Sequence, residues 1–348
     1  MHRQSCPTAL FFCFLLGFAS FAQADHLDLQ KQVAAVFKQH QTAVVRIKAQ
    51  RQELNPAEDK PRIRLTIGSG FFVRNDGHVL TNFSLVYQMD RVLVEYPAGR
   101  EFPAEIKGMD PYSNIALLKI KSLPSNATFV RMDDPSTTPE IGHMAVAITC
   151  PLQFAPSPSL GLVTGHESSI GRQAYRTSII RTSIRTQPGD SGSPLFGIDG
   201  RFLGINVASI KELQATCIFP ARATKRILDD LLSTGRVEYC TIGLKVVQRI
   251  DPTHGPRLIV TEPLSDYPSF RAGLKKDDWI KATRTGPIKS LSDLQNALFF
   301  TRPGQSLELT VVRDGREILF SVPVEAIKPK FGAEEEKKPV LPKPPQGG

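Results

Sequence analysis

The chain has 348 residues, 41% of them hydrophobic and 22% charged, with a formal net charge of +9. This composition is that of a soluble globular protein, and the length exceeds one ordinary core, so two domains are expected. The positive charge is spread along the chain with no basic block interleaved with aromatics, so it reads as solvated faces and argues against a nucleic-acid partner.

At the N-terminus, Arg3 precedes an apolar run from Ala9 to Ala22, and Ala22-Gln23-Ala24 places small residues just before Asp25. Residues 1–24 therefore read as a cleavable secretory signal. The run is short for a membrane span, although an uncleaved anchor is the alternative. Cys13 lacks a small residue before it and does not read as a lipoprotein site. The expected location is periplasmic or secreted. Export permits disulfides. Cys150, Cys217 and Cys240 follow the signal, an odd number, and a Cys150–Cys217 bridge is one arrangement. The histidines are scattered and no Cys-x-x-Cys occurs, so neither a metal nor a cofactor is expected.

Asp25 to Gln41 predicts a helix, with Leu29, Val33, Val36 and Phe37 at helical spacing. A strand begins at Ala43–Lys48, and the polar stretch 51–62, with two prolines, predicts a loop. From Ile63 to about Val207, short apolar runs alternate with turn signals such as Asn75-Asp76-Gly77, which predicts an all-β barrel or sandwich. Ala223–Leu232 closes this half as a helix stopped by Gly235. The second half predicts strands at Ile242–Val247, Arg257–Thr261 and Trp279–Ala282, helices at Ser269–Ala272 and Ser290–Phe300, and a hairpin of Leu307–Arg313 with Arg316–Pro323 across Asp314-Gly315. That is enough for one small α+β domain. The Lys-, Glu- and Pro-rich tail after Ile327 reads as disordered.

The stretch with the strongest chemical signal is Thr186-Gln187-Pro188-Gly189-Asp190-Ser191-Gly192-Ser193-Pro194. Gly-Asp-Ser-Gly is how a chymotrypsin-like protease presents a nucleophilic serine beside oxyanion-binding N–H groups. Together with Gly68-Ser69-Gly70-Phe71, Asp76-Gly77-His78-Val79-Leu80-Thr81-Asn82, Asp110-Pro111-Tyr112-Ser113-Asn114-Ile115-Ala116-Leu117, Ala272-Gly273-Leu274 and Ser292-Asp293-Leu294, it makes the chain resemble the HtrA (DegP-like) family. The resemblance implies a mostly β fold. A chymotrypsin-like double β-barrel protease domain (25–236) is followed by a small α+β PDZ domain (237–326) and a tail (327–348).

The resemblance assigns the nucleophile position to Ser191 and the oxyanion donors to the backbone of Gly189 and Ser191. The family places a His two residues after Thr-Asn, where this chain has Ser84. The family Asp falls on Asn114. A serine hydroxyl needs an adjacent base, and neither Ser84 nor Asn114 supplies or orients one. The expected protein is therefore a pseudoprotease, with an active endopeptidase using a displaced base as the alternative. Asp110 is expected to cap a turn. In the second domain, Thr241-Ile242-Gly243-Leu244 matches a carboxylate-binding loop, with Leu294 and Leu298 as the facing helix wall; the plainer reading makes these apolar residues ordinary core. The expected partners are peptides or unfolded proteins. The resemblance also implies a homotrimer or a mixed oligomer with an active relative, to which the segment around Phe37 would contribute.

Overall fold

A computed structural model describes residues 28–327 except 56–59, 98, 122, 133–137, 171–172 and 254. The expected signal over 1–24, and the expected tail beyond Ile327, lie outside the described residues. The chain divides into two compact units, Met1–Val237 and Glu238–Gly348.

The first unit opens with α1 (28–40). It continues with β1 (Val44–Asn55), β2 (Lys60–Phe72), β3 (His78–Asn82), a single turn α2 (Phe83–Val86), β4 (Arg91–Tyr96), β5 (Arg100–Pro103), β6 (Glu105–Asp110) and β7 (Ile115–Lys119). These strands form a seven-stranded sheet in the order β5-β4-β1-β2-β3-β7-β6. Alternation on β1 sends Val45, Ile47 and Ala49 into a core shared with Phe72, Val79, Leu85, Val94 and Leu118. Next come β8 (Met144–Thr149), β9 (Ser157–Ile170), β10 (Gln173–Thr182), β11 (Pro194–Gly197), β12 (Phe202–Ile210) and β13 (Ala215–Pro220). They close into a barrel, β10-β13-β12-β11-β8-β9, around Ala147, Val163, Ile180, Leu195 and Ile218. The α3 helix (Ala221–Thr234) buries Ile227, Leu228 and Leu231 and ends at Gly235, whose N–H reaches Leu231 O.

The loop expected over 51–62 is corrected. Pairing of β1 with β2 runs without a break from Val44 opposite Phe71 to Asn55 opposite Lys60. A two-stranded ribbon with solvent on both faces needs no apolar alternation, so its polar composition concealed the strand. Ile63 and Leu65 on this arm are exposed.

In the second unit, β14 (Cys240–Thr241) pairs with β21 (Glu325–Ala326). The main sheet contains β15 (Leu244–Asp251), β16 (Gly255–Pro263), β17 (Trp279–Thr283), β18 (Gly286–Pro287), β19 (Ser306–Arg313) and β20 (Arg316–Pro323). Its order is β15-β16-β17-β19-β20, with β18 on β17, so β15 is an edge strand. The helices are α4 (Pro268–Arg271) and α5 (Leu291–Phe300). Ser290 and Asp293 cap α5 reciprocally, each side chain taking the other's backbone N–H, a box readable in the sequence.

Cys150 and Cys217 are free and buried, so they are not bridged. Burial pushes the Cys150 thiol up to about 12 and the Cys217 thiol up to about 11, which leaves both inert at neutral pH.

Candidate functional site: a serine cradle

The site is assembled around Ser69, near the end of β2. Its backbone N–H donates to Ser191 O (2.8 Å) and its hydroxyl donates to Gly189 O (2.7 Å). The same hydroxyl accepts the Cys150 N–H (2.9 Å), and Ser69 O accepts the Thr81 hydroxyl (2.8 Å). On the other side β12 supplies Asn206. It takes the Gly192 N–H on its carbonyl (3.0 Å), gives its own N–H to Ser193 O (2.8 Å) and gives its side-chain amide to Asp190 O (3.0 Å). Gly192 has φ +85, and a Cβ there would lie 2.4 Å from Ser69 O, so only glycine closes this turn. Asp190 is buried, accepts the Gln187 N–H (2.7 Å) and hydrogen-bonds Thr149; burial raises its carboxyl above the ordinary range. Ser193 is fully buried, and no partner for its hydroxyl exists among the described residues.

Among the described residues, Ser191 Oγ has one hydrogen-bond partner. Asn82, the fully buried last residue of β3, donates its amide Nδ2 to Oγ at 2.6 Å. An amide offers an N–H or a weakly basic carbonyl, and neither accepts a hydroxyl proton. A donor on Oγ also draws on the lone pairs that a nucleophile needs. Asn82 was not singled out from the sequence; the retained Thr81-Asn82 pair was the available signal. Its Oδ1 is buried without a partner, a cost of about 1–3 kcal/mol.

The expected base and acid positions lie together. Asn114, at φ +58, accepts the Ser84 N–H on Oδ1 (2.9 Å), while its carbonyl accepts the Phe83 N–H (3.1 Å). Its Nδ2 donates to Val207 O on β12 (2.8 Å). The Ser84 side chain is exposed. Asp110 caps its turn, accepting the Ser113 N–H (2.9 Å) and the Tyr112 N–H (3.4 Å). Asn114 is thus wired as an amide, since a carboxylate in its place would set an oxygen against the Val207 carbonyl. Asn114→Asp alone is expected to destabilise the first unit by about 1–3 kcal/mol, seen as a lowered thermal midpoint; an unchanged midpoint would refute this account.

No displaced base reaches Ser191 among the described residues. His78 is bonded to Asp76 (2.6 Å), four residues before Asn82 on the same strand, about 13 Å away along the chain. His143 takes the Glu140 N–H, and His166 sits on β9 opposite Ile180. His40 stacks on Phe196 at 3.9 Å and bonds Gly200 O, and burial lowers its pKa. Among the described residues no backbone acceptor is bonded to the Gly189 or Ser191 N–H.

In the second unit, the loop of residues 241–244 is fastened to the segment before α4. Leu264 N–H (2.9 Å) and the Ser269 hydroxyl (2.9 Å) donate to Gly243 O, and Ser269 N–H donates to Ile242 O (2.9 Å). Thr241 Oγ1 accepts the Gly243 N–H (3.0 Å). Ile242 and Leu294 are core residues, 1% and 3% exposed, whereas Leu244 and Leu298 are only half-buried. Of the expected pocket and wall residues, Leu244 and Leu298 are thus the partly exposed ones, and Leu244 starts edge strand β15.

The comparisons agree with this architecture. Residues 68–205 match the Trypsin-like peptidase domain family and residues 240–324 match the PDZ domain family. A probable periplasmic serine endoprotease DegP-like of Chlamydia muridarum (strain MoPn / Nigg) is 29% identical over 278 residues, covering 76% of this chain and 55% of the relative. Another of that description, from Ectopseudomonas mendocina (strain ymp), is 30% identical over 264 residues, covering 72% of this chain and 54% of the relative. The chain thus spans just over half the length of these curated relatives. The solved HtrA-type protease AlgW with tripeptide superposes with a TM-score of 0.70 at 23% identity, over 86% of this chain and 99% of that one. The serine endoprotease from Yersinia pestis gives 0.59 at 22% identity, over 85% and 98%. The fold and cradle define a trypsin-like peptidase domain joined to a PDZ domain. The chain belongs to the HtrA/DegP family.

Proposed function

We propose that this chain is an exported pseudoprotease of the HtrA type, which binds peptides or unfolded polypeptides without cleaving them. The observation that carries the reading is the single neutral partner of Ser191 Oγ, the Asn82 amide. Ser84 and Asn114 stand at the base and acid positions, and none of the described histidines is bonded to Ser191. The cradle and the unused amides of Gly189 and Ser191 remain as a cleft that can hold a peptide carbonyl. In the PDZ unit, a peptide would add as a strand to the edge of β15, between Leu244 and Leu298. Its terminal carboxylate would replace the Thr241 hydroxyl at the Gly243 N–H. The HtrA-type protease AlgW has been solved with a tripeptide and with a decapeptide. The periplasmic naming of the relatives supports that location, and a homotrimer or mixed assembly is the oligomer this reading carries.

The test pairs cleavage with binding. The mature chain is expected to leave a labelled unfolded protein intact and to form no adduct with a serine-directed phosphonate. It is expected to bind a free C-terminal peptide more tightly than the amidated one. Cleavage abolished by Ser191→Ala would sink the pseudoprotease reading, and equal affinities would sink carboxylate capture.

A further inference from the structure

Beside the serine cradle lies a cavity of about 410 Å³. One wall is Arg185, Thr186 and Gln187, the residues that lead into the Gly189–Gly192 turn. The other is Ser209 and Lys211, where β12 ends, together with Gln214. The placement follows from the cradle itself. Asn206 of β12 is bonded to Gly192 and Ser193, and the same strand continues, past an irregularity in its pairing between Asn206 and Ala208, to Ser209.

Beside the apolar Ile210 and Ala215, the polar side chains of the lining bring two cations and several neutral donors. Arg185 and Lys211 are exposed, and among the described residues neither has a carboxylate partner. The Gln187 and Gln214 amides and the Ser209 hydroxyl add neutral donors. Thr186 does not contribute its proton. Thr216 gives its hydroxyl hydrogen to Ile184 O (2.8 Å), so Thr186 is the donor in the 2.7 Å bond between the two hydroxyls. Two acidic groups are close. Asp190 is buried and occupied with Gln187 N–H and Thr149, and Glu212, adjacent to Lys211, does not line the cavity. A cavity with two uncompensated cations, further donors and no lining carboxylate suits an anion carried on a chain, with charge-assisted hydrogen bonds as the attraction.

We propose that this cavity receives a carboxylate of the polypeptide held in the silent cleft, from an Asp or Glu side chain or from a chain terminus. The inference rests on the binding reading given above and names its ligand chemistry. Fluorescence anisotropy on the full mature chain tests it with three labelled extended peptides: one with a central Glu and an amidated end, the same with Gln, and the Gln peptide with a free C-terminus.

The amidated Glu peptide is expected to bind about tenfold or more tightly than the amidated Gln peptide at low salt. The gap should narrow as salt is added, because the cations are exposed. Arg185→Gln with Lys211→Gln should erase it, Arg185→Lys should keep most of it, and Arg185→Glu with Lys211→Glu should favour a Lys peptide instead. A free-terminus advantage that the double Gln variant removes would identify the terminus as the source; one that survives belongs to the PDZ unit. Equal binding of the two amidated peptides, with no response in any variant and no terminus advantage lost, overturns the assignment of the cavity and leaves polypeptide binding standing. If no amidated peptide binds at all, the cleft-binding reading fails, and this inference with it.

Discussion

Ser84→His combined with Asn114→Asp is expected to raise the rate at which the chain cleaves an unfolded protein. The two positions are already neighbours, since Asn114 Oδ1 holds the Ser84 N–H at 2.9 Å, and the Ser84 side chain is exposed, so an imidazole there meets no packed core. The Asn82 bond does not forbid the rescue. It uses one lone pair of Ser191 Oγ and leaves the hydroxyl proton free to pass to a base. Loss of the imidazole from a serine triad costs about 10⁶-fold in turnover. A positioned general base alone restores about 10²–10⁴-fold. The lower range is the expectation here, because the introduced carboxylate lies against the Val207 carbonyl, which now receives the Asn114 amide. Initial rates on a labelled unfolded protein, with phosphonate titration of Ser191, measure the gain. Ser84→His alone should give less than the pair, since nothing then stabilises the imidazolium. A robust rate in the unaltered chain, lost on Ser191→Ala, would show that a base has been overlooked.

Features set by local chemistry were the ones legible in the sequence. The Asp314-Gly315 hairpin, the Ser290-capped helix and the nucleophile turn each depend on a few adjacent residues, and each is found where its residues stand. Features set by distant partners were not legible. The polar ribbon of β1 and β2 is held by cross-strand pairing that composition does not encode. Asn82 matters because β3 delivers it to Ser191, 109 positions away in the chain. Ile242 and Leu294 are apolar like Leu244 and Leu298, and only the packing of the second unit makes the first two buried and the others partly buried. The amide at position 114 is the instructive case. Its identity was read as a loss of charge, whereas the Val207 carbonyl gives that amide a bond of its own.

Gly243→Ala is expected to unfold the second unit or lower its stability by about 3 kcal/mol or more. Gly243 has φ +69, where a side chain costs roughly 1–2 kcal/mol. The added Cβ would lie 2.0 Å from both Cβ and Cγ of Tyr267. The Tyr267 Cβ cannot swing aside as a chain end can, because the Tyr267 backbone is anchored by its N–H to Leu264 O (3.0 Å) and its carbonyl receives Phe270 N–H in α4. The glycine anticipated as a place for a ligand to approach is therefore already required by the chain's own tyrosine. Trp279, the sole tryptophan, lies in β17 with the Arg257 guanidinium 4.2 Å from its ring, so its fluorescence reports melting of this unit alone. Tyr267→Gly in the Gly243→Ala background removes both overlapping atoms and should recover the steric part, a coupling that separates overlap from conformation. An unchanged Trp279 melt in Gly243→Ala would mean that the loop over 241–244 yields easily. It would then not be the rigid frame that carboxylate capture requires.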